Sequence, residues 1–310
     1  MGKIDIRVKN FIKVDTVFAQ LFSEGVFKGS AKIDPNKLQE LDTANQTTLK
    51  DLERLRDVQK ITMLYDDKLA FQIILGVEGQ TGVHYYMPVR CMELDALSYS
   101  GQCRRIAEKA IEDKKLKKYA DGVLKGTKIV PTVTLVFYVG SKPWDGPRSI
   151  HDMLDIPEDK KEWAKRFIPE YQMYLIDARH LTEEEINRFN GDLKAFLLMI
   201  QETYNEEQLK NVVAMHRETW YAISAIKRDQ RYAEYIENIS DEDLSGGMYM
   251  DAVLDRIEAR GEARGKAMGE ARVNELGTRM AEAGRVNEFI QSLSDKELQN
   301  QLFSEFGIEV

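Results

Sequence analysis

Between Arg54 and Gly140 the hydrophobic pattern changes period twice, and that order narrows the possible folds more than any other feature. Two β-rich alternating runs flank "YDDK" in "RLRDVQKITMLYDDKLAFQIILGVEGQ". Aspartates tolerate turn geometry, so the segment reads as a hairpin. The next stretch, "PVRCMELDALSYSGQCRRIAEKAIEDKKLKK", carries Val89, Met92, Leu97, Ile106, Ala110 and Leu116 on one broad apolar face, with Pro88 suited to the first position of a helix. Then "GTKIVPTVTLVFYVG", a continuous apolar run bounded by glycines, has the pattern of a strand covered on both faces. A long helix between two buried strands is the signature of a crossover to a parallel neighbour. The order predicts an α/β protein whose mixed sheet is flanked by helices.

The flanks are helical in pattern. "VKNFIKVDTVFAQLFSEGVFK" places Phe11, Val14, Phe18, Leu21 and Phe22 at helical spacing, which predicts one amphipathic helix. A polar connector follows, with a short helix after Pro35. From Ser149 to Gly247 the pattern is mostly helical, with a short strand at "YQMYLIDA" and acid-rich helix starts at "TEEEINRF" and "DEDL". Gly261, Gly265 and Gly269 then recur among charges, and each glycine costs a helix about 1 kcal/mol relative to alanine. That stretch reads as a solvated, semi-flexible connector leading to two short amphipathic helices. The expected divisions are a core over 1–150, a helical domain over 151–250 and a charged helical appendage over 251–310.

Composition limits the classes of function. The 310 residues, 43% hydrophobic and 31% charged, suffice for about two globular domains. No stretch approaches the ~18 uncharged apolar residues of a membrane span, and "MGKIDIRVKNFIKVD" lacks the apolar core of a signal peptide. Two cysteines, Cys91 and Cys103, cannot build a disulfide framework or a four-ligand zinc site. The expected compartment is the cytoplasm. The net charge of −8 conceals a division: residues 1–150 hold 24 Lys and Arg against 19 Asp and Glu, and the remainder 20 against 33. A basic half joined to an acidic half is one way to confine nucleic-acid binding; acidic helices that merely solubilise the second half are the other reading.

The chemistry gathers at the end of the hairpin. In "ILGVEGQ", Glu78 and Gln80 lie two residues apart and so share one face of a strand. Folding about "YDDK" brings Asp57 beside Glu78 on the adjacent strand, about 4.8 Å away. Two carboxylates so close repel, and a cation between them relieves the repulsion. A hard divalent ion such as Mg²⁺ takes oxygen ligands and keeps several waters, so two carboxylates and a substrate phosphate suffice.

This arrangement resembles the PD-(D/E)XK nuclease superfamily, with a restriction-endonuclease-like core, and more closely the Rpn family of recombination-promoting nucleases and putative transposases. The resemblance rests on "FAQLFSEGVFKG", "LRDVQK", "ILGVEGQTGVHYYMPVRCMELDALSY" and "VPTVTLVFYVGSKPWDGP". It implies a metal-dependent DNA endonuclease associated with recombination or mobile elements, using Mg²⁺ or Mn²⁺. Asp57 and Glu78 match the two metal-binding acids, and the Gly79 carbonyl is a further candidate ligand. Asp15 resembles a family acid that reaches the metal directly or through water; a solvent-facing helix residue is its plainer reading. Gln80 stands where the wider superfamily has lysine, so an amide capable only of hydrogen bonding replaces a positive charge.

Other residues carry two readings each. Arg90 either grips a phosphate or pairs with Glu78. His84 contacts phosphate or is hydrogen-bonded in its loop. Lys114, Lys115, Lys117 and Lys118 form a basic cluster that binds DNA or is a solvated helix end. Tyr85, Tyr86 and Tyr99 stack on bases or pack, and Trp144 anchors its loop. The expected partner is DNA, with a homo-oligomer through the C-terminal helices possible and no membrane. The alternative function is a weakly catalytic or inactive DNA-binding protein on the same fold, because Gln80 replaces the lysine.

Overall fold

The computed structural model describes residues 2–41, 57–66, 69–113, 115, 123–201, 204 and 206–308. The first expected helix is broken in two: α1 (Lys3–Lys13) ends at Val14, whose φ of −59° and ψ of 122° are extended, and α2 (Asp15–Gln20) runs into a π-helical turn over Leu21–Val26. The apolar spacing survives the break, and Phe11, Phe18, Leu21 and Phe22 are all fully buried. A buried cation explains how the break is tolerated. The Lys60 ammonium donates to the Lys13 carbonyl at 2.5 Å and to Asp15 Oδ1 at 2.6 Å, satisfying a group that a continuous helix would have paired internally.

A 3₁₀ turn at Pro35–Lys37 and the short β1 (Gln39–Glu40) lead to the hairpin of β2 (Val58–Asp66) and β3 (Leu69–Gln80). Its register runs antiparallel from Val58 opposite Val77 to Asp66 opposite Leu69. Asp67 and Lys68, the expected turn, lie outside the described residues. The crossover helix is α3 (Met87–Glu112), with Pro88 in its first turn, and β4 (Thr132–Tyr138) returns parallel to β3.

The chain continues through α4 (Lys161–Phe167), β5 (Tyr174–Asp177), α5 (Glu183–Ile186), α6 (Gly191–Gln201), α7 (Glu206–Leu209), β6 (Val213–Ala214), α8 (Arg217–Lys227), α9 (Gln230–Glu237), α10 (Asp241–Ser245) and β7 (Met248–Tyr249). Thr182 and Ser240 accept hydrogen bonds from Glu185 and Asp243 as N-caps of α5 and α10, at the two acid-rich starts read from the sequence. The main sheet has the order β1-β2-β3-β4-β5, antiparallel on the β1 side of β3 and parallel beyond it. It is the mixed α/β sheet that the sequence predicts.

Residues in β4 alternate between two covered faces. On one, Phe137 meets Phe11 of α1 and Phe196 of α6; the Phe11 and Phe196 rings stack at 4.3 Å. On the other, Val136 and Tyr138 pack with Met87 and Cys91 of α3, Trp144 and Met173. Because β5 extends the sheet and α6 completes its core, residues 1–150 and 151–250 form one compact unit, Met1–Met250, and the structure draws no boundary at residue 150.

The second unit is Asp251–Val310. The expected connector is a continuous helix, α11 (Met250–Glu282), followed by the two short helices α12 (Val286–Ser292) and α13 (Lys296–Glu305). Leu276, Met280, Leu302, Phe303 and Ile308 form its core. A Cβ added at Gly265 or Gly269 would meet nothing within 4 Å, so neither glycine packs against a neighbour. Among the described residues no helix is long and apolar enough to cross a membrane.

Candidate functional site

The hairpin register builds the site. Because Val58 lies opposite Val77, Asp57 at the entry to β2 stands beside Glu78 near the end of β3. The Asp57 N–H donates to Glu78 Oε1 at 3.2 Å, and the Gly79 N–H donates to Asp57 Oδ2 at 3.0 Å. The two acids are thus laced together, each carboxylate accepting from a backbone N–H of the other acid's strand.

Glu78 has no exposed surface. It neighbours Val136 of β4 in the register, and Arg90, in the first turn of α3, covers it. Arg90 Nε and Nη2 lie 2.9 and 2.8 Å from Glu78 Oε2. Of its two sequence readings, pairing with Glu78 is the one the structure realises. Burial pushes the Glu78 carboxyl up to about 7, against the pull of Arg90 and with a further push from Asp57. Asp57 is also raised, chiefly by burial, while the Gly79 hydrogen bond, Lys9 and Arg90 hold it down.

The remaining residues fall in several places. Gln80 is half-buried at the last position of β3, and its carbonyl accepts from the Val139 N–H at 2.8 Å. Asp15 is engaged by Lys60 instead of joining the acid pair, since the break at Val14 turns the start of α2 toward that lysine. Among the described residues no group of three or more His, Cys, Asp or Glu side chains is arranged to hold a metal ion. His84 packs edge-on against Tyr86, with ring centroids 4.1 Å apart. Lys115 pairs with Asp113 at 3.2 Å, whereas Lys114, Lys117 and Lys118 lie outside the described residues.

The aromatic residues act mainly as anchors. Tyr99 Oη accepts from the Thr132 N–H at 3.1 Å, tying α3 to β4. Trp144 is buried; its backbone N–H donates to Asp177 and its indole N–H to the Gly146 carbonyl. Tyr85 is exposed and donates to Asp145.

Sequence reasoning missed Lys9. Its ammonium lies 3.8 Å from Asp57 Oδ1, and its side chain remains 32% exposed. The signal available was indirect: a glycine between the acid and the amide in Glu78-Gly79-Gln80. A Cβ on Gly79 would lie 3.2 Å from Ile12 Cδ1 and 3.5 Å from Val8 Cγ1, so α1 packs directly on the strand at this glycine.

No curated protein and no solved structure gives a significant match to the chain. Residues 109–230 match a family described as "Putative transposase, YhgA-like". The matched segment runs from the last residues of α3 through β4, β5 and α6 to the cap of α9, the half of the core that supports the acid pair from beyond β3. Over residues 109–230, under half of its length, the chain is thus similar to the YhgA-like putative transposase family, the Rpn and PD-(D/E)XK type, and the mixed sheet agrees with that likeness.

Proposed function

We propose that the chain is a metal-dependent DNA endonuclease whose acid pair is Asp57 and Glu78. The observation that carries this reading is the pair itself: two carboxylates laced across adjacent strands, each with its proton affinity raised by burial. The donor set is all oxygen, which suits a hard ion that keeps several of its waters, Mg²⁺ or Mn²⁺. Asp57 and Glu78 would hold it, and the Gly79 carbonyl remains a candidate third ligand. When bound, such an ion activates water and neutralises charge on the scissile phosphate. The protein's own contribution is positional: Gly79 fixes Asp57 through its N–H, Arg90 fixes Glu78, and Gln80 offers an amide to orient a water.

A second reading has its own observation. Arg90 already neutralises Glu78 at 2.8 Å, and among the described residues no group of three or more acids, histidines or cysteines is arranged around an ion, so the fold could hold DNA without cutting it. Full-length protein incubated with supercoiled plasmid, with Mg²⁺, Mn²⁺ or a chelator, beside Asp57→Ala, separates the two. Nicked or linear product only with metal and only from the unmodified protein supports the nuclease. Binding without product supports the second reading, and equal cutting by Asp57→Ala overturns the assigned site. Self-association through the C-terminal helices belongs to the same proposal. Val286, Ile290 and Leu293 are exposed on one side of α12, and a strict monomer in sedimentation would remove that part.

A further inference from the structure

We propose that Lys9 supplies, from α1, the positive charge to a bound phosphate that β3 lacks at Gln80; this rests on the nuclease reading above. An amide at position 80 can orient a water but cannot neutralise charge building on phosphate oxygens. Two cations act on the Asp57 carboxylate, Lys9 and Arg90. Arg90 is committed to Glu78 through Nε and Nη2. Lys60, close by in β2, turns away to Lys13 and Asp15 and is almost completely buried. Lys9 alone of these three is both partly exposed and held at ion-pair range without a short hydrogen bond, 3.8 Å from Asp57 Oδ1.

The position of Lys9 is built, and independently of that ion pair. Val8 and Ile12, both buried, rest against Gly79 of β3. Lys9 lies between these two residues on α1, so the helix that packs on Gly79 also carries the ammonium to Asp57. The lysine of the strand is thus replaced by an amide on the strand and an ammonium on the helix.

The test uses the full chain and two readouts. The first is affinity for a short DNA duplex in chelator at several salt concentrations, read by fluorescence anisotropy. Loss of one phosphate contact lowers the slope of log affinity against log salt by about 0.9, and Lys9→Met is expected to do so. The second is plasmid cleavage with Mg²⁺ or Mn²⁺. Lys9→Met is expected to fall by about 10²–10³-fold, the usual loss for one charge-stabilising group, with Lys9→Arg retaining most of the rate. Adding Gln80→Lys to Lys9→Met is expected to restore cutting, a rescue that a merely structural lysine would not give. If the unmodified protein cuts and Lys9→Met cuts equally fast with an unchanged salt slope, this proposal fails while the nuclease reading stands. If the unmodified protein never cuts, the nuclease reading fails, and an unchanged salt slope then removes the Lys9 contact as well.

Discussion

Arg90 and Glu78 form a buried pair in which one carboxylate oxygen, Oε2, takes both Nε and Nη2 of the guanidinium at under 3 Å. The pair joins the crossover helix to β3, the central strand of the sheet. Its removal from one side leaves a carboxylate without exposed surface and without its cation, which costs about 3–5 kcal/mol in comparable sites. Arg90→Met should therefore lower the urea midpoint most at alkaline pH, where Glu78 is ionised in the unmodified protein. The loss should shrink at acid pH, where Glu78 takes up a proton instead. An equal loss at both pH values would mean that the pair is not what stabilises this contact.

The Glu78 carboxyl also sets a pH dependence of folding. Its ordinary value is 4.5 and its value in the fold is about 7, so between these the folded chain binds more protons than the unfolded one. Stability contributed at this site then falls as pH rises through that window, and levels off above it. The full change is on the order of 3 kcal/mol. Glu78→Gln cannot titrate and should lose this slope. Identical slopes for the two proteins in denaturant titrations from about pH 5 to about pH 8 would contradict the assignment.

Lys60 is a lysine with 1% of its surface exposed, and its ammonium lies over the Phe18 ring, 5.1 Å from the centroid. Lys60→Met keeps the stem but leaves the Lys13 carbonyl without its donor at the helix break. A buried acceptor stripped of its partner costs about 1–3 kcal/mol, and that is the loss expected from chemical denaturation. An unchanged midpoint would show that the break at Val14 stands without the lysine.

Asp192, at the start of α6, is buried and accepts from the N–H groups of Met215 and His216, from Thr219 Oγ1 at 2.6 Å and pairs with His216 Nδ1 at 2.9 Å. Chiefly through that last hydrogen bond it raises His216 above 6.5. The stabilisation from this pair is present in full below pH 6.5 and is lost as pH rises through the raised value. Asp192→Ala should return the His216 titration, followed by NMR, toward its ordinary range. It should also destabilise the α6–α8 contact, since four donors lose one acceptor. A His216 titration that does not move would separate it from Asp192.

The order of elements was legible because each signal is local. Period-two runs around "YDDK" became β2 and β3, and the 26-residue α3 returned the chain parallel to its start. The adjacency of Asp57 and Glu78 followed from the same local rule, since a hairpin register places the beginning of one strand beside the end of the next. The single helix expected over residues 8–28 failed for a reason that periodicity cannot carry. Spacing reports which side chains are buried, and Phe11, Phe18 and Phe22 are, but it does not report the extended ψ of Val14. Nor does it reveal a lysine 47 positions along the chain that satisfies the freed carbonyl.

What the sequence determined by itself was therefore the sheet, its crossover and the meeting of two acids, all products of neighbour-to-neighbour geometry. The tertiary structure alone decided which cations answer those acids. Arg90 reaches Glu78 because α3 packs over the sheet, and Lys9 reaches Asp57 because α1 packs on β3 at Gly79. It also decided that residues 151–250 complete the same core, since the stacking of Phe11 on Phe196 depends on two distant helices meeting. Such pairings depend on how separate elements dock, and docking is chosen by the packing of whole faces.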